Sequence, residues 1–75
     1  MLVEQKIKEV LVDSVGLEIT EDNQNLFAAG LDSIGTVDLI FALEAAFEIS
    51  FTESDLNVAQ FESVNKIKCL IEEKQ

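Results

Sequence analysis

The stretch Ala28-Ala29-Gly30-Leu31-Asp32-Ser33-Ile34-Gly35-Thr36-Val37 decides how this chain folds. Gly30 can turn the backbone through positive φ, Asp32 is a residue type that caps helices, and a long apolar run follows. Asp32 therefore stands as the N-cap of a helix beginning at Ser33, its carboxylate accepting an amide proton that the first turn leaves unpaired. That explains Asp32 but leaves Ser33 open. A hydroxyl in the first turn lies near unpaired amides and the positive end of the helix dipole, surroundings that favour an attached or bound phosphate.

Downstream, Val37, Ile40, Leu43, Ala46 and Phe47 recur at three- and four-residue spacings, which predicts a second helix from about Ser33 to Glu48. Ile49, Ser50 and Phe51 read as a short extended link. Thr52-Glu53-Ser54-Asp55 supplies a cap and acids for a short third helix reaching about Ala59. Ser63 caps a last helix through about Lys74, with Val64, Ile67, Leu70 and Ile71 facing inward.

Upstream, Val3, Ile7, Val10 and Leu11 mark one face of a first helix from Leu2 to about Ser14, with Glu4, Lys8, Glu9 and Asp13 on the other. Gly16 is its stop. The connection from about Gly16 to Asp32, polar from Thr20 to Asn25, is long for so small a chain; such loops are functional or pinned by their own side chains. Leu17, Ile19, Leu26, Phe27 and Leu31 are the expected pins, and Phe27, Phe47, Phe51 and Phe61 are read as core. The expected fold is all-α: a single domain over residues 1–75, a small four-helix bundle of three main helices and one short one, with a long first loop.

The totals agree. A 75-residue chain removes only about 60% of its surface on folding, too little for a core and an enclosed substrate pocket together, which weighs against an enzyme. Apolar residues make up 48% and charged residues 27%, the composition of a folded domain. Proline is absent, against a small sandwich or barrel. Fifteen acids against five lysines give a net charge of −10, which repels nucleic acid and attracts basic protein surfaces. One cysteine leaves no disulfide framework and fits a cytoplasmic location. No targeting sequence is expected in the segment MLVEQKIKEV, no apolar run approaches a membrane span, and a monomer is the default expectation.

A serine hydroxyl is a weak nucleophile without a base, and the chain has no histidine to provide one. If Ser33 reacts, another protein does the activating. Phe27-Ala-Ala-Gly30-Leu31-Asp32-Ser33-Ile34, followed by Val37-Asp38-Leu39-Ile40 and Leu43-Glu44, resembles the signature of acyl and peptidyl carrier proteins. The resemblance covers essentially the whole chain. It implies that Ser33 carries 4'-phosphopantetheine, attached covalently from coenzyme A, whose thiol holds acyl or aminoacyl groups as thioesters. It also implies two kinds of partner: a phosphopantetheinyl transferase that recognises Asp32, and adenylating or acyl-transferring enzymes with basic docking surfaces. The run from Leu31 to Ile40, with Phe61-Glu-Ser-Val-Asn65-Lys66-Ile67, looks most like stand-alone D-alanyl and other aminoacyl or peptidyl carriers. Fatty-acid carriers usually have an acid where Gly35 stands and a more acidic patch where Ala45 and Ala46 stand. Many D-alanyl carriers have tryptophan where Phe61 stands.

Ile34, Asp38, Phe41, Glu44 and Glu48 form the candidate docking strip, acids around apolar contacts on the second helix; a solvated face is the plainer reading of the acids. An exposed Phe41 asks for a partner. Cys69 lies between inward positions and is expected to be buried or half-buried. A calcium loop begun at Asp22 fails, because Phe27 and Ser33 occupy the places of its glycine and its glutamate. The rival to a carrier is an unmodified acidic helical module that binds a basic protein partner.

Overall fold

The computed structural model describes residues 2–74. Three α-helices follow in order: α1, Val3–Val15; α2, Ser33–Phe47; and α3, Val64–Lys74. Two 3-10 turns, Glu53–Asp55 and Val58–Phe61, lie between α2 and α3. No strand occurs among the described residues.

α1 ends as its sequence dictates. Gly16 takes φ 67°, and the amides of Gly16 and Leu17 return to the carbonyls of Val12 and Leu11 at 3.0 and 3.2 Å. Ile7 and Leu11 are fully buried on its inner face. The same logic holds for α3, where Val64, Ile67, Leu70 and Ile71 are all buried and the Ser63 hydroxyl accepts the Lys66 amide at 3.3 Å. Cys69 departs from expectation: it is exposed, because Ile67, Leu70 and Ile71 already take the inward arc.

The inner stripe of α2 also differs. Leu39 and Leu43, one turn apart, are its fully buried residues, Ile40 and Phe47 pack partly against the core, and Val37 points out. The sequence SIGTVDLIFALEAAF is apolar nearly all round, so its periodicity names no single face. Packing against α1 and the common core makes the choice. At the other end Glu48 takes the left-handed conformation, φ 54°, and closes the helix.

The short third helix forms as two 3-10 turns. Asn57 adopts an extended backbone and its side-chain oxygen accepts the Ala59 amide at 2.9 Å, so it caps a new turn instead of continuing the first. Thr52 donates both its amide and its hydroxyl to the Asp55 carboxylate, at 2.8 and 2.9 Å. Asp55 also pairs with Lys74 at the end of α3. Lys74 and Thr52 together hold the Asp55 carboxyl low, at about 2.

The long loop is pinned rather than loose. Ile19, Leu26 and Leu31 are buried, and Leu17 and Phe27 pack partly on the core. Leu26 donates its amide to the Glu62 carbonyl at 2.7 Å, Asn65 donates to Asp22 at 2.9 Å, and Lys8 pairs with Asp22 at 2.7 Å. Of the four phenylalanines read as core, Phe61 is fully buried, and Phe27, Phe47 and Phe51 pack against its surroundings. Each fully buried large apolar side chain contributes roughly 1.5–3 kcal/mol relative to exposure, so these loop anchors fix where the chain enters α2.

Candidate functional site

The entry to α2 is built by Gly30, Leu31 and Asp32. Gly30 has φ 123°, a backbone conformation that side chains rarely adopt, and it bends the chain sharply. Leu31 is buried and its amide donates to the Leu26 carbonyl at 3.0 Å, which locks the bend to the core. Asp32 is extended, with φ −109° and ψ −178°, and its Oδ1 accepts the Gly35 amide at 2.7 Å. Its carbonyl accepts the Thr36 amide and hydroxyl at 2.9 and 2.7 Å.

These side-chain and carbonyl bonds of the turn all end on Asp32, and none uses the Ser33 hydroxyl. Ser33 is the first residue of α2 and is exposed. Helical geometry gives the amides of Ser33 and Ile34 no intrahelical acceptor, so the turn keeps donors and positive potential beside that hydroxyl. An anionic group joined to Ser33 would meet this potential without displacing the Asp32 cap. An open groove lies alongside, lined by Ser14 and Val15 at the end of α1, Leu17 and Gly30 of the loop, and Asp32, Ile34 and Asp38.

Gly35 has a part that sequence reasoning missed. A Cβ there would stand 3.1 Å from Asp32 Oδ1, 3.3 Å from Leu31 Cδ1 and 3.4 Å from Val15 Cγ1. Its missing side chain lets the start of α2 close on the end of α1 while the cap stays in place. The only signal in the sequence was a glycine inside the first turn of a helix, where it ordinarily weakens the helix.

Among the expected docking residues, Ile34 is 76% exposed and Phe41 65% exposed, with Asp38 exposed between them. Positions 34, 38 and 41 share one helical face, and Val37 adds to it. Large apolar side chains grouped in this way beside a carboxylate form a surface suited to a partner. Glu48 is exposed at the far end of the helix. Glu44 is different: it is half-buried and its Oε2 accepts the Phe51 amide at 2.9 Å. Leu56 and Val58, on and beside the 3-10 turns, are further exposed apolar residues that the sequence did not single out.

The charge distribution follows the same division. No lysine or arginine stands between Lys8 and Lys66 in the chain. Lys8, Lys68 and Lys74 pair with Asp22, Glu4 and Asp55, and Lys6 lies over the Phe47 ring at 4.8 Å. Glu4 is held below the usual carboxylate range by a backbone hydrogen bond and by Lys68, whose own ammonium is held above its usual range by Glu4. Asp38 and Glu48 therefore sit on a helix with no base of its own. No described helix is long and apolar enough to cross a membrane.

A family model described as a phosphopantetheine attachment site matches residues 5–68. The chain is 43% identical over 70 residues to a D-alanyl carrier protein of Streptococcus uberis, covering 89% of this chain and 87% of the relative. It is 32% identical to an acyl carrier protein of Akkermansia muciniphila, covering 97% of this chain and 92% of the relative. Its fold is similar to a carrier-protein chain in the crystal structure of an engineered Bradyrhizobium japonicum glycine:carrier protein ligase complexed with carrier protein from Agrobacterium tumefaciens and ATP. That match has a TM-score of 0.87 at 31% identity, covering 95% of this chain and 97% of the solved one. The corresponding AMP complex gives a TM-score of 0.84 at 32% identity, covering 92% and 97%.

Proposed function

The chain belongs to the carrier-protein family defined by a phosphopantetheine attachment site, and we propose that Ser33 is the residue that bears the group. It is a carrier of acyl or aminoacyl groups and not itself an enzyme. When bound, phosphopantetheine supplies a thiol on a flexible arm, on which cargo is held as a thioester. The protein's own residues do the rest. Asp32 fixes the first turn of α2 so that the Ser33 hydroxyl stands clear of the fold, and Gly30 and Leu31 hold the approach to it open. With no histidine in the chain, the base that takes the hydroxyl proton belongs to the phosphopantetheinyl transferase, which draws the group from coenzyme A.

Ile34, Asp38, Phe41 and Glu48 serve as the docking strip for that transferase and for the enzyme that loads the arm. The loading enzyme is an adenylating ligase with a basic surface, and the cargo is a small aminoacyl group. The likeness to D-alanyl carriers and to the carrier chain of the glycine ligase complex supports this reading. The carrier works in the cytoplasm, where coenzyme A and ATP-dependent ligases meet it. Tethering makes each delivery effectively intramolecular once the carrier has docked.

One observation carries the attachment reading: the residue that caps α2 is Asp32, so exposed Ser33 is not needed to build the turn. The test is intact mass after incubation with coenzyme A and a broad-specificity phosphopantetheinyl transferase. The protein gains one phosphopantetheinyl group and the Ser33→Ala variant gains none. A gain in both would move the attachment elsewhere.

A further inference from the structure

We infer that Glu44 is a positioning residue: its carboxylate ties the start of the segment 49–61 to α2, and it serves partner recognition through that segment rather than as a charge at the contact surface. The inference rests on the attachment reading above. Glu44 Oε2 accepts the Phe51 amide at 2.9 Å, while its carbonyl accepts the Ile49 amide at 3.1 Å and the Glu48 amide. One residue thus secures the reversal after α2 with both its backbone and its side chain.

The tether continues inward. Phe51 is half-buried, and its ring meets buried Phe61 edge-on, with centroids 5.7 Å apart and planes at 88°. Beyond it, Asp55 takes bonds from Thr52 and pairs with Lys74 of α3. The segment is therefore tied to α2 at its start and to α3 farther on. Between those ties it presents exposed Leu56 and Val58. A partner that reads apolar contacts on both α2 and this segment finds a spacing that the Glu44 side-chain bond, with these ties, keeps fixed. Asp38 and Glu48 are exposed and open to a partner's lysine or arginine, whereas a base approaching Glu44 must compete with the Phe51 amide.

Two variants separate position from charge. Glu44→Gln removes the charge but keeps an oxygen acceptor, and Glu44→Ala removes both. In the unmodified protein, amide exchange at Phe51 stays slow for wild type and Glu44→Gln, and quickens about three- to tenfold for Glu44→Ala, the factor that corresponds to one net hydrogen bond. With the same transferase and coenzyme A, KM for the carrier rises by a similar factor in Glu44→Ala with kcat unchanged, and Glu44→Gln behaves as wild type. If Glu44→Gln raises KM as much as Glu44→Ala, the residue acts by charge and the inference is overturned. It is equally overturned if Glu44→Ala alters neither Phe51 exchange nor KM. Wild type that takes no group while Phe51 shows the expected exchange pattern would instead sink the attachment reading and leave the tether supported.

Discussion

The Asp32 carboxylate accepts the Gly35 amide at 2.7 Å, across the residue that carries the exposed hydroxyl. The cap and the candidate attachment point are thus adjacent residues with separate tasks. Asp32→Ala removes the cap and costs about 1 kcal/mol. In a domain of this size that lowers Tm by roughly 4–8 °C. Ser33→Ala leaves the cap intact and moves Tm far less. Thermal melts of the two variants side by side check the division, and a Ser33→Ala melt as low as that of Asp32→Ala would contradict it.

The proposed docking strip predicts different responses from its charged and apolar members. Asp38→Lys slows association with the transferase at low salt, and the gap from wild type narrows as salt rises, because exposed charges are screened beyond about 8 Å at 0.15 M ionic strength. Phe41→Ser lowers kcat/KM at every salt concentration yet changes stability by no more than about 0.5 kcal/mol, since the ring is already exposed. Stopped-flow association across a salt series, with melting curves as control, reads both. A Phe41→Ser protein that melts much lower would place the ring in the core.

Asp55 sets an acid-side dependence of stability. Its carboxyl is held at about 2 in the fold by Lys74 and Thr52, below its ordinary value of 3.8. A depressed pKa stabilises the fold fully above the unfolded value, and that contribution is lost as pH falls from about 4 towards 2. Asp55→Asn is therefore less stable than wild type at neutral pH, and the two curves of Tm against pH converge in that acid window. Parallel curves down to pH 2 would show that the Lys74 and Thr52 bonds do not hold the carboxylate in solution.

Glu48 closes α2 at φ 54°, where a residue with a Cβ is disfavoured, and it places a negative charge at the negative end of the helix dipole. Glu48→Gly relieves both at the expense of backbone freedom in the unfolded chain, for a net gain of about 0.5–1 kcal/mol. Denaturant midpoints measure it. A loss of stability would mean that the Glu48 side chain makes a contact worth more than the strain.

Much of this could be read along the chain. The caps at Asp32 and Ser63, the stop at Gly16, the positive φ of Gly30 and the inward stripes of α1 and α3 are local events, fixed by residue type and spacing. The exposed serine was legible for the same reason, because a capping aspartate ahead of it leaves it no structural duty.

What the sequence left open was decided where several faces were equally apolar or where a side chain had more than one use. Every side of α2 is hydrophobic enough to bury, and only its packing on α1 and the common core turned Leu39 and Leu43 inward and left Val37 and Phe41 in solvent. Asn57 split the expected short helix by capping a second turn, and Glu44 turned from the surface to the Phe51 amide. Caps and stops depend on neighbours within one turn and so are determined by sequence alone. Facing and side-chain partnership depend on elements that meet only after folding, and those the tertiary structure decided.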